Sequence, residues 1–99
     1  MSKPYVTVVA EITAKPGCEE ELKNVLLSVV EPVRKEEGCI QYDLHVSNNE
    51  PGKFVFIENW ESPEALAKHG QAEHMKALGA KAMTLVGGAS KISTYTRIA

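Results

Sequence analysis

Apolar residues near the start of the chain recur first at every second position and then at helical spacing. Val6, Val8, Ala10 and Ile12 alternate with Thr7, Val9, Glu11 and Thr13. That alternation, rich in β-branched side chains, predicts a strand over Tyr5 to Thr13. Lys15-Pro16-Gly17 breaks it. From Cys18 to Glu37, Leu22, Val25, Leu26, Val29, Val30 and Val33 fall on one face of a helix. Glu19, Glu20 and Glu21 suit the positive end of that helix, and Gly38 closes it. Pro32 removes an internal hydrogen bond and crowds the preceding turn, so a kink or a stop is expected there.

Alternation returns at Cys39 to Ser47. Asn48-Asn49-Glu50-Pro51-Gly52 is turn chemistry, and a third strand over Phe54 to Glu61 completes a hairpin. Ser62-Pro63-Glu64 starts a second helical region with a cap and a proline at the first helical position. This region extends to about Leu85, with Gly70 and Gly79 leaving open a division into two segments. After Gly87-Gly88, Ser90 to Ile98 reads as a last strand. The order β-α-β-β-α-β is the split βαβ pattern of an α+β, ferredoxin-like domain with a four-stranded antiparallel sheet. It occupies residues 1–99 as one domain. Both helical regions belong on one face of the sheet. The third strand is apolar on both sides, with Phe54, Phe56 and Trp60 on one and Val55 and Ile57 on the other. The face without helices is therefore expected to meet a second copy, giving a homodimer.

Charge narrows the partners. With a formal net charge of -2 and a pI near 5.9, the chain has no clustered basic face for nucleic acid. No apolar run is long enough to cross a membrane. Met1-Ser2-Lys3-Pro4 has no apolar secretion segment, so a cytoplasmic location is expected. Cys18 and Cys39 flank the first helical stretch. If it is continuous, roughly 30 Å separates its ends, far beyond disulfide reach. Cys18 has the helix dipole to favour a thiolate, but the plainer reading, a small residue at a helix end, is the better one.

Reactive side chains concentrate in Glu58-Asn59-Trp60-Glu61 and in the stretch from His69 to His74. Glu58 and Trp60 share strand parity with Phe54 and Phe56, so a carboxylate and an indole face the helices together. A carboxylate among aromatics titrates high, and a histidine beside it can act as a general base near neutral pH. Plainer roles suit the same residues. Trp60 would serve as core, Glu58 could pair with a lysine, and His69 could pair with Glu73 on the helix surface. On a continuous helix, His69 and His74 lie roughly 140° apart and share no face unless the chain breaks at Gly70. Their spacing is also wrong for a zinc-binding H-E-x-x-H helix. Tyr42 is read as core, His45 as structural and Asp43 as solvated.

Four pieces of the chain, in order, resemble the antibiotic biosynthesis monooxygenase superfamily, and within it the small quinol-monooxygenase-like proteins. They are Val9-Ala10-Glu11-Ile12-Thr13-Ala14-Lys15-Pro16-Gly17, Lys35-Glu36-Glu37-Gly38-Cys39 with Tyr42, Glu58-Asn59-Trp60-Glu61-Ser62, and His69 with His74-Met75-Lys76. The resemblance implies a dimeric α+β barrel whose pocket lies between the helices and the sheet of each protomer. It implies oxidation of a quinol or polycyclic phenol to a quinone by dioxygen, with no metal, flavin or haem cofactor. On this likeness His69 or His74 is the base, and Glu58 orients a histidine. Trp60, with Phe56 and Tyr42, would contact substrate. Other chemistries occur on the same scaffold. Haem degradation would want an asparagine where Ile12 stands. Isomerisation of a small oxygenated signalling molecule and non-catalytic ligand binding by a dimer are the remaining alternatives.

Overall fold

A computed structural model describes residues 5–99. The elements follow in the order β1 (Val6–Thr13), α1 (Glu19–Leu27), α2 (Val30–Arg34), β2 (Cys39–Val46), β3 (Lys53–Trp60), α3 (Pro63–Gly70), α4 (Glu73–Ala82) and β4 (Lys91–Thr96). The strands form one antiparallel sheet in the order β2-β3-β1-β4. This is the expected ferredoxin-like α+β fold. The reading of Met1 to Pro4 lies outside the described residues.

Alternation sorts the strand residues as expected. Val8, Ala10, Phe54, Phe56 and Trp60 are buried against Leu22, Leu26, Val29 and Val33 of the helical layer. Val8 pairs with Glu58, and Glu58 with Tyr42, so these three residues share the helix side. On the opposite side Val9, Val55 and Ile57 stay half-buried, and no described element of this chain covers them.

Both helical regions are divided, and each break has a chemical cause. The expected continuous helix over 18–37 stops after Leu27 and restarts at Val30. The break lies upstream of Pro32, because the proline offers no N–H to the carbonyl of Ser28 and its ring crowds that turn. Both cysteines are free. In the second region the chain breaks at Gln71-Ala72, just after Gly70, whereas Gly79 stays inside α4. The Ser62 hydroxyl caps α3 by accepting from the Ala65 amide at 3.1 Å, with Pro63 in the first turn.

Gly38 holds α3 close. Its φ is +86°, and a Cβ there would lie 2.5 Å from the Cβ of Ala65. Only glycine allows both the left-handed turn into β2 and this approach. The residues just before the turn, Glu36 among them, are thereby brought against α3.

Candidate active site

Between the helix face of the sheet and α3–α4 lies a cavity of about 370 Å³. Its sheet side is formed by Ala10 and Ile12 of β1, Phe56 and Glu58 of β3, and Tyr42 of β2. Leu66 and His69 of α3, with Met75 and Leu78 of α4, close the other side. Ile92 and Thr94 of β4 also line it, and Ile92 is 68% exposed, so the opening lies toward this edge strand. Apolar walls around a few polar groups are what a small aromatic ligand needs.

The polar groups form one connected cluster. His69 is 6% exposed and lies between two rings. The Trp60 indole is 4.5 Å from it between centroids, and Tyr42 meets it edge-on at 5.6 Å. Tyr42 in turn stacks on Phe56 at 4.7 Å. Its own backbone carbonyl accepts from the Arg34 Nε–H at 3.1 Å, which ties β2 to the end of α2. Trp60 Nε1–H donates to Glu58 Oε1 at 2.9 Å, and the same oxygen is 4.0 Å from His69 Nε2. On its other side, His69 Nδ1 is 3.1 Å from Glu36 Oε2. His74 Nε2 meets that same Glu36 oxygen at 2.5 Å.

Burial governs the electrostatics here. It raises the carboxyl pKa of Glu58 above its ordinary value, and Glu36 raises it further. The Trp60 N–H and His69 work in the opposite direction. Burial, reinforced by Glu58 and Glu36, drives the Tyr42 phenol far above its ordinary range, so its hydroxyl stays protonated. Tyr42 is a neutral wall of the cavity rather than a base.

Glu58, Phe56 and His69 therefore meet at the cavity, as their sequence pattern suggested, and Tyr42, read from its pattern as core, is buried and also lines it. Glu58 pairs with the indole and the imidazole, not with a lysine. Trp60 is core, as its plainer reading had it, and not the substrate contact the resemblance implied: it is fully buried beneath Glu58 and His69 and does not line the cavity. His74 does not line it either, but reaches in from α4 to Glu36. The two histidines converge because the break after Gly70 turns α4, removing the separation a continuous helix would impose. His69 turns to Glu36 rather than to Glu73. Asp43 is not simply solvated, since its carboxylate takes the Arg34 guanidinium at 3.0 Å. His45 lies exposed on the other side of the sheet.

Glu36 was not singled out from the sequence as a site residue. It follows α2 in a run of charged residues where no periodicity assigns a face. The available signal was Gly38, whose tight turn forces one of the two preceding glutamates inward. Among the described residues, no group of three or more histidine, cysteine or acidic side chains is arranged to hold a metal ion.

The family model for antibiotic biosynthesis monooxygenases matches residues 5–81, and the chain belongs to that family. It is 35% identical to the Escherichia coli protein named "Probable quinol monooxygenase YgiN", over 73% of this chain and 79% of that one. It is 30% identical to the Synechocystis protein sll1783 across 91% of its own length, and spans 61% of that longer protein. Among solved structures, PA3566 from Pseudomonas aeruginosa superposes with a TM-score of 0.93 at 35% identity, covering 100% of this chain and 99% of the other.

Proposed function

We propose that this protein is a cofactor-independent monooxygenase that oxidises a quinol or polycyclic phenol with dioxygen. The observation that carries the reading is His69, whose imidazole lines a mostly apolar cavity together with Glu58 and has a carboxylate on each side of its ring. Membership of the family, and the likeness to a protein named for quinol oxidation, support it.

In this mechanism His69 Nε2 takes the hydroxyl proton of the bound ring. Glu58 lies beside the imidazolium that forms, and its negative charge stabilises that ion in a water-poor site. The aromatic anion gives one electron to dioxygen, producing a substrate radical and superoxide. These recombine at a ring carbon that carries hydrogen, and the peroxide takes back the proton held by His69. The resulting hydroperoxide loses water, its outer oxygen leaving with that carbon's hydrogen, to give the carbonyl of the quinone. One oxygen atom enters the product and the other leaves as water. Phe56 and Tyr42 hold the ring, and Trp60 acts through Glu58 and His69 without touching the substrate. In this reading His74, which does not line the cavity, is the outer partner of Glu36 rather than the base.

The working unit in this proposal is a cytoplasmic homodimer, with the second copy on the sheet face that carries Val9, Val55 and Ile57. No described helix is long and apolar enough to cross a membrane. Oxygen uptake by metal-stripped protein, with chelator and a panel of hydroquinones and anthrone-like phenols, tests the proposal. Uptake above autoxidation is expected with no added flavin, haem or metal. Background rates across the panel would overturn it and turn attention to isomerisation or ligand binding without turnover.

A further inference from the structure

We propose that Glu36 is the positioning residue of the site, fixing which nitrogen of His69 carries the proton, and that His74 serves to brace Glu36. The inference rests on the proposed role of His69 as base. An ionised carboxylate can only accept hydrogen bonds, so the ring nitrogens that face it must be donors. At 3.1 Å from Glu36, His69 Nδ1 is therefore the protonated nitrogen. Nε2, on the side of the ring toward Glu58 and the cavity, keeps its lone pair. Without that contact the reverse tautomer would satisfy Glu58 at the expense of the base, since Nε2–H would point at its carboxylate 4.0 Å away.

His74 completes the arrangement from the outside. Its Nε2–H donates to Glu36 Oε2. Side-chain exposure runs from 8% at His69 through 14% at Glu36 to 31% at His74, so the carboxylate is shielded while its brace reaches solvent. When His69 accepts the substrate proton, the imidazolium lies between Glu36 and Glu58 and remains hydrogen-bonded to Glu36. The other ionisable neighbours of this cluster are Tyr42 and the Cys39 thiol on β2, whose pKa burial and the two carboxylates raise. Neither competes for the His69 proton in its neutral form. Glu36 itself does not line the cavity, so it should affect turnover rather than substrate binding.

Nitrogen-15 NMR of the histidine rings reads the tautomer directly and needs no substrate. In the wild-type chain His69 is expected as the Nδ1–H form. Glu36→Gln keeps an acceptor oxygen and should preserve that form, whereas Glu36→Ala should move the proton wholly or partly to Nε2. On a quinol substrate kcat should fall about 10-fold in the first variant and about 100-fold in the second, with KM little changed. A folded Glu36→Ala chain with the wild-type His69 tautomer would overturn the proposal, as would Nε2–H in the wild type. If Glu36→Ala does not fold, loss of the Nδ1–H form in Glu36→Asp together with its retention in Glu36→Gln gives the supporting result, and retention in both overturns it. Because the tautomer is read without turnover, an inactive wild type showing the expected pattern would refute the oxygenase reading and leave the Glu36 assignment standing.

Discussion

Glu11 and Glu58 both stand on central strands of the same sheet, yet they lead opposite lives. Glu11, on the open side, pairs with Lys53 at 3.1 Å and is partly exposed. Glu58, on the helix side, is 4% exposed, meets an indole N–H and an imidazole, and has its carboxyl pKa raised by burial. Strand parity alone separates them. The open side carries a string of hydrogen bonds from Thr7 through Asn59 and Gln41 to Asp43, beside half-buried Val9, Val55 and Ile57. Polar groups there satisfy one another at the surface. On the helix side the few polar groups are isolated by apolar walls, and that isolation makes them chemically useful.

The contrast is most severely tested on the helix side. Trp60→Ala should cost about 3–5 kcal/mol, because the indole is fully enclosed and its loss leaves a void beneath His69. Denaturant unfolding at fixed protein concentration checks this, and a loss below about 1 kcal/mol would return Trp60 to an open pocket wall. On the open side, Ile57→Lys should leave the fold intact but prevent the proposed pairing of two sheets. Sedimentation at micromolar concentration should show a dimer for the wild type and one chain for the variant. An unchanged dimer mass would place the interface elsewhere.

Glu58→Gln gives the smallest and most diagnostic shift. The raised carboxyl means that the folded chain takes up this proton at a higher pH than the unfolded chain does. The stabilising contribution is complete below the ordinary value of 4.5 and disappears as the pH rises through the raised one. Replacing the carboxylate by an amide should therefore raise Tm at neutral pH, and the difference from wild type should shrink on acidification. The same variant should slow turnover by about 10-fold, since the imidazolium loses a neighbouring charge. Thermal unfolding between pH 4 and 8 checks the sign. A variant less stable at neutral pH would show that the carboxylate is already satisfied there.

Most of the fold was legible because period-2 and helical spacing are local properties. Val6 to Ile12 and Leu22 to Val33 declared their faces without tertiary information. Phe56 and Glu58 followed from parity on one strand, whereas Tyr42, read as core from its pattern, was placed at the substrate only by the family resemblance. What escaped depended on backbone breaks. Pro32 marked the first helical interruption, but its effect falls one turn earlier, at the carbonyl it cannot satisfy. Gly70 marked the second, yet only the direction of α4 after the break shows that His74 returns to His69. Glu36 sits beyond any periodic segment, so its inward orientation is set by Gly38 and Ala65 rather than by a pattern. Trp60 has the parity of a cavity residue but lies at the end of β3, where α3 closes over it.

The central claim is that the histidine at the cavity, and not its outer partner, removes the substrate proton. Steady-state oxygen uptake on one quinol, compared between His69→Gln and His74→Gln, tests this most directly. The kcat should fall by about 100-fold or more in the first and by no more than about 10-fold in the second, with both proteins folded. The reverse order, or wild-type turnover in His69→Gln, would contradict it.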